Sequence, residues 1–193
     1  MMKVLVACEH SGAVRRAFRA RGHAAWSCDL LPASDGSRHH IRGDVAKVLD
    51  LPWDMLVAHP VCRYLTNAGV RWLHERPERW ALMREAAAFF LAFERADHIP
   101  RRCVENPIMH RHALEIVGRR ATQYVQPWMF GDPYAKATGL WLTGLPPLVP
   151  EKRKCDYASI RQDVWLMPPS PDREARRSLT YPGIARAMAE QWG

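Results

Sequence analysis

The sequence predicts an α/β protein built on a mostly parallel sheet with helices on both faces, and three observations predict it. Short, almost wholly apolar runs recur, as in Lys3-Val-Leu-Val-Ala7 and Met55-Leu-Val-Ala58. Strands read this way when both of their faces are covered. Between such runs lie segments with apolar residues at helical spacing, and polar or reactive residues follow five successive predicted strands, where open parallel sheets hold their ligands.

Lys3 to Ala7 predicts the first buried strand, followed by Glu9-His-Ser-Gly12 and a helical pattern from Val14 to Arg21 that stops at Gly22. His23 to Cys28 predicts the second strand, ending on Asp29; Ile41 to Val45 predicts the third and Asp54 to Ala58 the fourth. This rhythm of strand, helix and strand is that of a parallel sheet. Trp80 to Ala96 carries Leu82, Met83, Ala86, Phe89, Phe90 and Phe93 at helical spacing, which predicts a crossover helix leading to a fifth strand at Arg102 to Glu105. Beyond it come a short helix at His110 to Val117, strands at Thr122 to Val125 and Leu140 to Thr143, and a closing helix at Pro182 to Gln191 with proline at its start. The proline-rich, basic stretch at residues 145–177 predicts a surface excursion too short to be a domain, so the 193 residues are expected to form one domain.

Lysine and arginine total 28 against 20 acids, a net charge of +8, which favours an anionic partner such as a nucleic acid or a phosphorylated small molecule. Much of this charge is arginine in clusters (Arg15, Arg16, Arg19 and Arg21; Arg101 and Arg102; Arg119 and Arg120; Arg173, Arg176 and Arg177), and arginine forks suit phosphate oxygens. The five cysteines are scattered without a C-x-x-C pair, so neither a disulfide framework nor a zinc site is expected, and a reducing cytoplasm is. No apolar run is long enough to span a bilayer, so no membrane role is expected.

At the strand ends, Gly12 lies in a turn beside a helix N-terminus, where backbone can approach a ligand, and Asp29 can accept hydrogen bonds from ribose hydroxyls. Cys62, in Ala58-His-Pro-Val-Cys-Arg-Tyr-Leu-Thr-Asn-Ala-Gly69, follows an apolar strand and stands near His59 and Arg63, cations that favour a thiolate. A thiolate is the natural nucleophile for electron-poor carbon. Glu105 ends the next strand, and its desolvated carboxyl is expected to have a raised pKa and to donate to a ring nitrogen. A thiolate and a carboxylic acid on neighbouring strand ends match conjugate addition to a pyrimidine, with attack at C6 and charge absorbed at N3.

In this order the segments resemble the cytosine-C5 DNA methyltransferases. His59-Pro-Val-Cys62 followed by Thr66-Asn-Ala-Gly69 is similar to the Pro-Cys loop of that family, whose cysteine is the nucleophile, and Glu105-Asn106-Pro107 to its Glu-Asn-Val motif. Residues 4 to 12 stand in the place of the first cofactor motif, Asp29 in that of the ribose-binding acid, and Gly43-Asp44-Val45 in that of the adenine contact. Gly131-Asp-Pro-Tyr-Ala-Lys136 resembles the Gly-x-Pro-Gln-x-Arg segment, and Tyr181 to Ala189 the last family helix. The first motif is poor in glycine, Val61 replaces a proline, and Tyr134 and Thr138 replace a glutamine and an arginine. Only 29 residues, Val149 to Arg177, stand where a target-recognition domain would lie.

The resemblance implies a Rossmann-like fold, S-adenosylmethionine as cofactor, and Cys62, Glu105 and Lys136 as catalytic residues. Cofactor contacts are expected from Cys8, Glu9, His10, Ser11, Gly12, Asp29, Asp44, Val45, His59 and Pro60, and substrate contacts from Asn67, Asn106, Pro107 and Tyr134. The implied reaction is C5 methylation of cytosine, in DNA or in a free nucleotide such as (d)CMP, without a metal. The rival from another class is a non-catalytic nucleic-acid- or cofactor-binding module. Amino methylation by a loop of the Asp-Pro-Pro-Tyr type is a weaker match, because His59-Pro-Val-Cys62 lacks the aromatic residue in register.

Overall fold

A computed structural model describes residues 1–163, 168, 170 and 180–193. The elements are β1 (Lys3–Ala7), α1 (Ala13–Ala20), β2 (Ala24–Asp29), β3 (His40–Arg42), α2 (Ala46–Leu49), β4 (Met55–Ala58), α3 (Arg71–Glu75), α4 (Arg79–Glu94), β5 (Arg101–Pro107), α5 (Arg111–Val117), β6 (Gln123–Val125), β7 (Thr138–Thr143) and α6 (Pro182–Trp192). Among the described residues the strands form one sheet in the order β3-β2-β1-β4-β5-β7-β6. The first five pair in parallel, and β7 runs antiparallel to both β5 and β6. From β1 the chain moves outward to β2 and β3, then returns to lay β4 on the other side of β1. That reversal opens a crevice at the carboxyl ends of β1 and β4.

The apolar runs are continuous because both faces of the sheet are covered. On one face Val4, Val6, Met55 and Val57 pack with Val14 and Phe18 of α1 and with Ile184 and Met188 of α6. The alternate residues Leu5, Ala7, Leu56 and Ala58 pack on the other face with Met83, Phe90 and Phe93 of α4 and with Trp141 of β7. The Met and Phe stripe of α4 is therefore core.

Several boundaries differ from expectation. The third strand is shorter than Ile41 to Val45 and starts earlier, at His40; it ends before Asp44, whose Oδ1 accepts from Ala46 N–H (3.0 Å) as the chain turns into α2. The fifth strand extends through Pro107 because β7, starting at Thr138, pairs along its whole edge. The segment Arg71–Glu75 is an unforeseen short helix. In the excursion after β7, Leu148 is buried and exchanges hydrogen bonds with Gln123, and Tyr157 O–H donates to the Trp128 carbonyl. Arg173, Arg176, Arg177 and the first two residues of the segment 178–192 lie outside the described residues.

Gly183 lets α6 approach the turn at Pro127–Phe130: its N–H donates to Asp132 Oδ2 (2.7 Å), and a Cβ there would run into the Phe130 carbonyl. Gly183→Ala should lower stability by about 1–3 kcal/mol in urea unfolding. An unchanged midpoint would mean that α6 does not pack this closely.

Candidate functional site

The crevice at the tips of β1 and β4 is an open cleft. Its walls are Cys8, Glu9, His10 and Ser11 after β1; His59, Pro60 and Cys62 after β4; Glu105 and Pro107 of β5; Lys136 before β7; and Thr180 before α6. Cys62 and Glu105 thus line one space, together with the first turn.

Cys62 stands half-buried at the start of a loop tied down beyond it. Leu65 is fully buried, His110 N–H donates to the Leu65 carbonyl (3.0 Å), and Asn67 N–H donates to the Ile108 carbonyl (3.2 Å). The His110 ring caps α5 by accepting from Ala113 N–H (3.1 Å), which leaves Nε2–H to donate to the Tyr64 carbonyl (3.0 Å). One imidazole therefore fixes both the loop after Cys62 and the helix after β5.

Strand register brings His59 and Glu105 together. Ala58 of β4 pairs with Val104 of β5, so the next residues, His59 and Glu105, are neighbours across the parallel strands. Their side chains are 10% and 9% exposed, and His59 Nδ1 lies 3.0 Å from Glu105 Oε2. The approach is off the line of an ideal hydrogen bond, so the contact is an ion pair by distance rather than a linear N–H···O bond. The other ring nitrogen, Nε2, is shielded from solvent and has no hydrogen-bond partner among the described residues.

This pair overturns one expectation. Burial alone pushes the Glu105 pKa up, but the facing His59 and then Lys136 outweigh it and hold the carboxyl below its ordinary value. Burial likewise pushes His59 down, and Glu105, with help from Glu9, raises it above its ordinary value. Each shift favours the charged form of its group, and His59 faces Glu105 rather than Cys62 alone.

Burial, followed by the nearby Asp29, Cys28 and Asp44, pushes the Cys8 thiol up to about 12, so Cys8 lines the cleft as a neutral group. Cys8 also adopts φ 58°, unusual for a side-chain-bearing residue, as the chain turns sharply off β1. Glu9 reaches the cleft, but its carboxylate is committed: Val14 N–H (2.6 Å) and Arg15 N–H (3.3 Å) of α1 both donate to it. The helix end beside Gly12 is thus already supplied with an anion from within the chain.

The arginine clusters also find internal partners. Arg15 is buried, bonded to Ser27 Oγ (2.9 Å) and paired with Asp35, which Arg16 also contacts (2.8 Å). Arg102 is buried against the carbonyls of Ala96 and Ile99 and against Asp97, and Arg119 pairs with Glu94. Arg15 and Arg102 are thus spent inside the fold, whereas Arg16 and Arg119 stay exposed beside their acid partners.

Of the expected contacts, Gly12, Asp29, Asp44, Val45, Asn67, Asn106 and Tyr134 are not walls of the cleft. Asp29 and Asp44 lie close enough to raise Cys8, and each accepts one backbone N–H, from Leu31 and Ala46. Val45 is core. Asn106 is buried, with its Nδ2 on the Pro107 carbonyl (2.7 Å) and its Oδ1 unpartnered among the described residues. Asn67 is exposed on a 3-10 turn, and Tyr134 is held by Tyr181 and Arg161 away from the cleft. Thr180 is a wall that residue chemistry alone did not single out, since a lone threonine before a helix reads as a cap. Among the described residues no group of three or more His, Cys, Asp or Glu side chains could hold a metal, and no helix is long and apolar enough to cross a membrane.

No family model and no curated protein matches the chain in sequence. Its fold does have relatives among solved structures. The methyltransferase EhMeth of Entamoeba histolytica superposes with a TM-score of 0.53 at 13% identity, over 79% of this chain and 57% of its own. An E. coli prophage protein assigned as a DNA modification methyltransferase superposes at 0.48, with 13% identity over 74% and 46% of the two chains, and the Dnmt2 methyltransferase of S. pombe at 0.45, with 14% identity over 76% and 51%. The chain spans about half the length of these structures. The strand order and the EhMeth superposition define the fold as Rossmann-like.

The His59–Glu105 pair links stability to pH with a definite sign. The raised His59 contributes stability that is complete below its ordinary 6.5 and lost as pH rises through the raised value; the lowered Glu105 contributes stability present above its ordinary 4.5 and lost as pH falls through the lowered one. The stability difference between wild type and Glu105→Gln in urea unfolding should therefore be largest between pH 4.5 and 6.5 and shrink on either side. A difference independent of pH would contradict the ion pair.

Proposed function

We propose that this protein is an S-adenosylmethionine-dependent methyltransferase acting at C5 of cytosine through a covalent adduct of Cys62. The observation that carries the reading is the shared cleft: Cys62, Glu105 and Lys136 face one space together with the turn Cys8 to Ser11. The donor set suits the cofactor. Asp29 and Asp44 stand at adjacent strand tips beside Cys8, each with a carboxylate oxygen beyond the one used on backbone, and such acids suit nucleoside hydroxyls. His10, Ser11, His59 and Pro60 extend the same wall toward Cys62. When bound, the cofactor supplies an electrophilic methyl group.

The chain's own residues do the rest. The Cys62 thiolate adds to C6 of the pyrimidine, and Glu105 holds N3 and the exocyclic amine so that the ring charge is absorbed as it forms. C5 becomes nucleophilic and takes the methyl group. Loss of the C5 proton to a base and departure of the Cys62 sulfur restore the aromatic ring. Lys136, whose charge already lowers Glu105 and which lines the same cleft, keeps the carboxyl anionic between turnovers in this reading.

Cytosine in DNA is the proposed substrate, ahead of a free nucleotide. Arg63, Arg71 and Arg76 lie exposed on the segment directly after the nucleophile, with Arg71 and Arg76 at 4.4 and 4.9 Å from the Trp72 ring, and a basic rim there suits the phosphates on either side of an extruded base. An oligonucleotide carrying 5-fluorocytosine, incubated with the cofactor, should give a covalent protein adduct by intact mass, and Cys62→Ala should abolish it and lower methyl transfer by at least about a thousandfold. A 5-fluorinated cytosine mononucleotide, run alongside, should react far more slowly. Absence of an adduct with either substrate, or full turnover by Cys62→Ala, removes the reading; faster reaction of the mononucleotide moves the substrate to the free nucleotide.

A further inference from the structure

We infer that His59 is the positioning residue that holds the proton for Glu105, so that the two side chains work as one acid with a single proton between them. The inference rests on the function proposed above and deepens it. Its basis is geometric. Strand register sets His59 beside Glu105, Nδ1 and Oε2 are 3.0 Å apart, both side chains are nine-tenths buried, and both are walls of the cleft that contains Cys62.

The chemistry needs such a device. A cytosine attacked at C6 must gain a proton, or a strong hydrogen bond, at N3, and a carboxylate alone has no proton to give. Beside His59, the Glu105 carboxyl is held below its ordinary pKa, which favours the carboxylate. In the proposed step the entering base draws Nδ1 and Oε2 into line, and the proton on Nδ1 passes to the carboxylate, leaving neutral imidazole and a carboxylic acid. The acid then gives the proton to N3 while the Cys62 sulfur bonds to C6, so the thiolate's negative charge ends on the carboxylate. Departure of sulfur returns the proton by the same route. The pair also keeps the carboxyl oriented, since an unpaired buried carboxylate would seek water or neutralise.

The other charged and titratable groups around His59 do not supply this proton. Glu9, after β1, spends its carboxylate on α1; Lys136, before β7, opposes the charge on His59; Cys103 is a buried thiol with its pKa pushed well up, first by burial and then by Glu105; and Cys8 stays neutral for the reasons given above. Cys62 is the nucleophile.

The test is the pH dependence of adduct formation with the 5-fluorocytosine oligonucleotide, for wild type and for His59→Asn, whose amide can reach Glu105 but carries no titrating proton. Both should share a rising limb from thiolate formation. In wild type the rate should fall on the alkaline side with a midpoint above 6.5, where His59 loses its proton. In His59→Asn the falling limb should move to lower pH by about a unit or more, because Glu105 must then hold the proton itself. An unchanged limb with a lower rate at every pH overturns the inference and makes His59 merely structural. No adduct in wild type overturns the underlying function, and the inference with it. A second measurement stands should His59→Asn fail to fold: the His59 ring followed by NMR in the wild-type protein should titrate above 6.5, and titration at or below that value overturns the shared-proton pair.

Discussion

An imidazole and a carboxyl group, each nine-tenths withdrawn from water, face each other across the tips of two parallel strands, and the rest of the site is arranged around them. Neither could stay charged there alone, because desolvation of a lone ion costs several kcal/mol. Together they are sustained by a register that leaves no choice: once Ala58 pairs with Val104, the next residues must stand side by side. The register comes from apolar runs buried on both faces, where a slip of one residue would exchange the two cores. The electrostatics of the cleft thus descend from the packing of Val57, Ala58 and Val104, which carry no charge.

The same economy governs the basic and acidic residues elsewhere. A net charge of +8 suggests a surface built to attract anions, yet several of the arginines act inside the fold, as Arg15 does between α1 and β2 and Arg102 does below β5. Glu9 stands in the loop where a cofactor would be met and caps the helix that such loops usually leave open. Backbone and side-chain groups of the turn that remain after this internal capping, with the acids on β2 and before α2, are those the proposed cofactor would use.

The layered architecture was legible because fully buried strands and an aromatic helix such as α4 leave patterns with few alternatives. Cys62 and Glu105 were legible as reactive groups at strand ends, and they do share one cleft. Less legible was what each side chain does with its neighbours. The lowered Glu105 pKa depends on His59, 46 positions away, and only register reveals that contact. His59 could have been found by aligning the apolar runs of the two strands and reading one residue past each. Asn67, on a 3-10 turn, and Tyr134, packed on Tyr181, do not line the cleft, and short turns carry no periodic signal that would have shown it.

The account stands most directly on whether Cys62 and Glu105 activate C5 of a cytosine. Thiolate addition at C6 makes the C5 hydrogen exchangeable even without a methyl donor, so a cytosine oligonucleotide incubated with the protein in heavy water should gain deuterium at C5, measured by mass spectrometry or NMR. The account predicts exchange that is catalytic in wild type and absent in Cys62→Ala. No exchange in wild type, or equal exchange in both proteins, would contradict it.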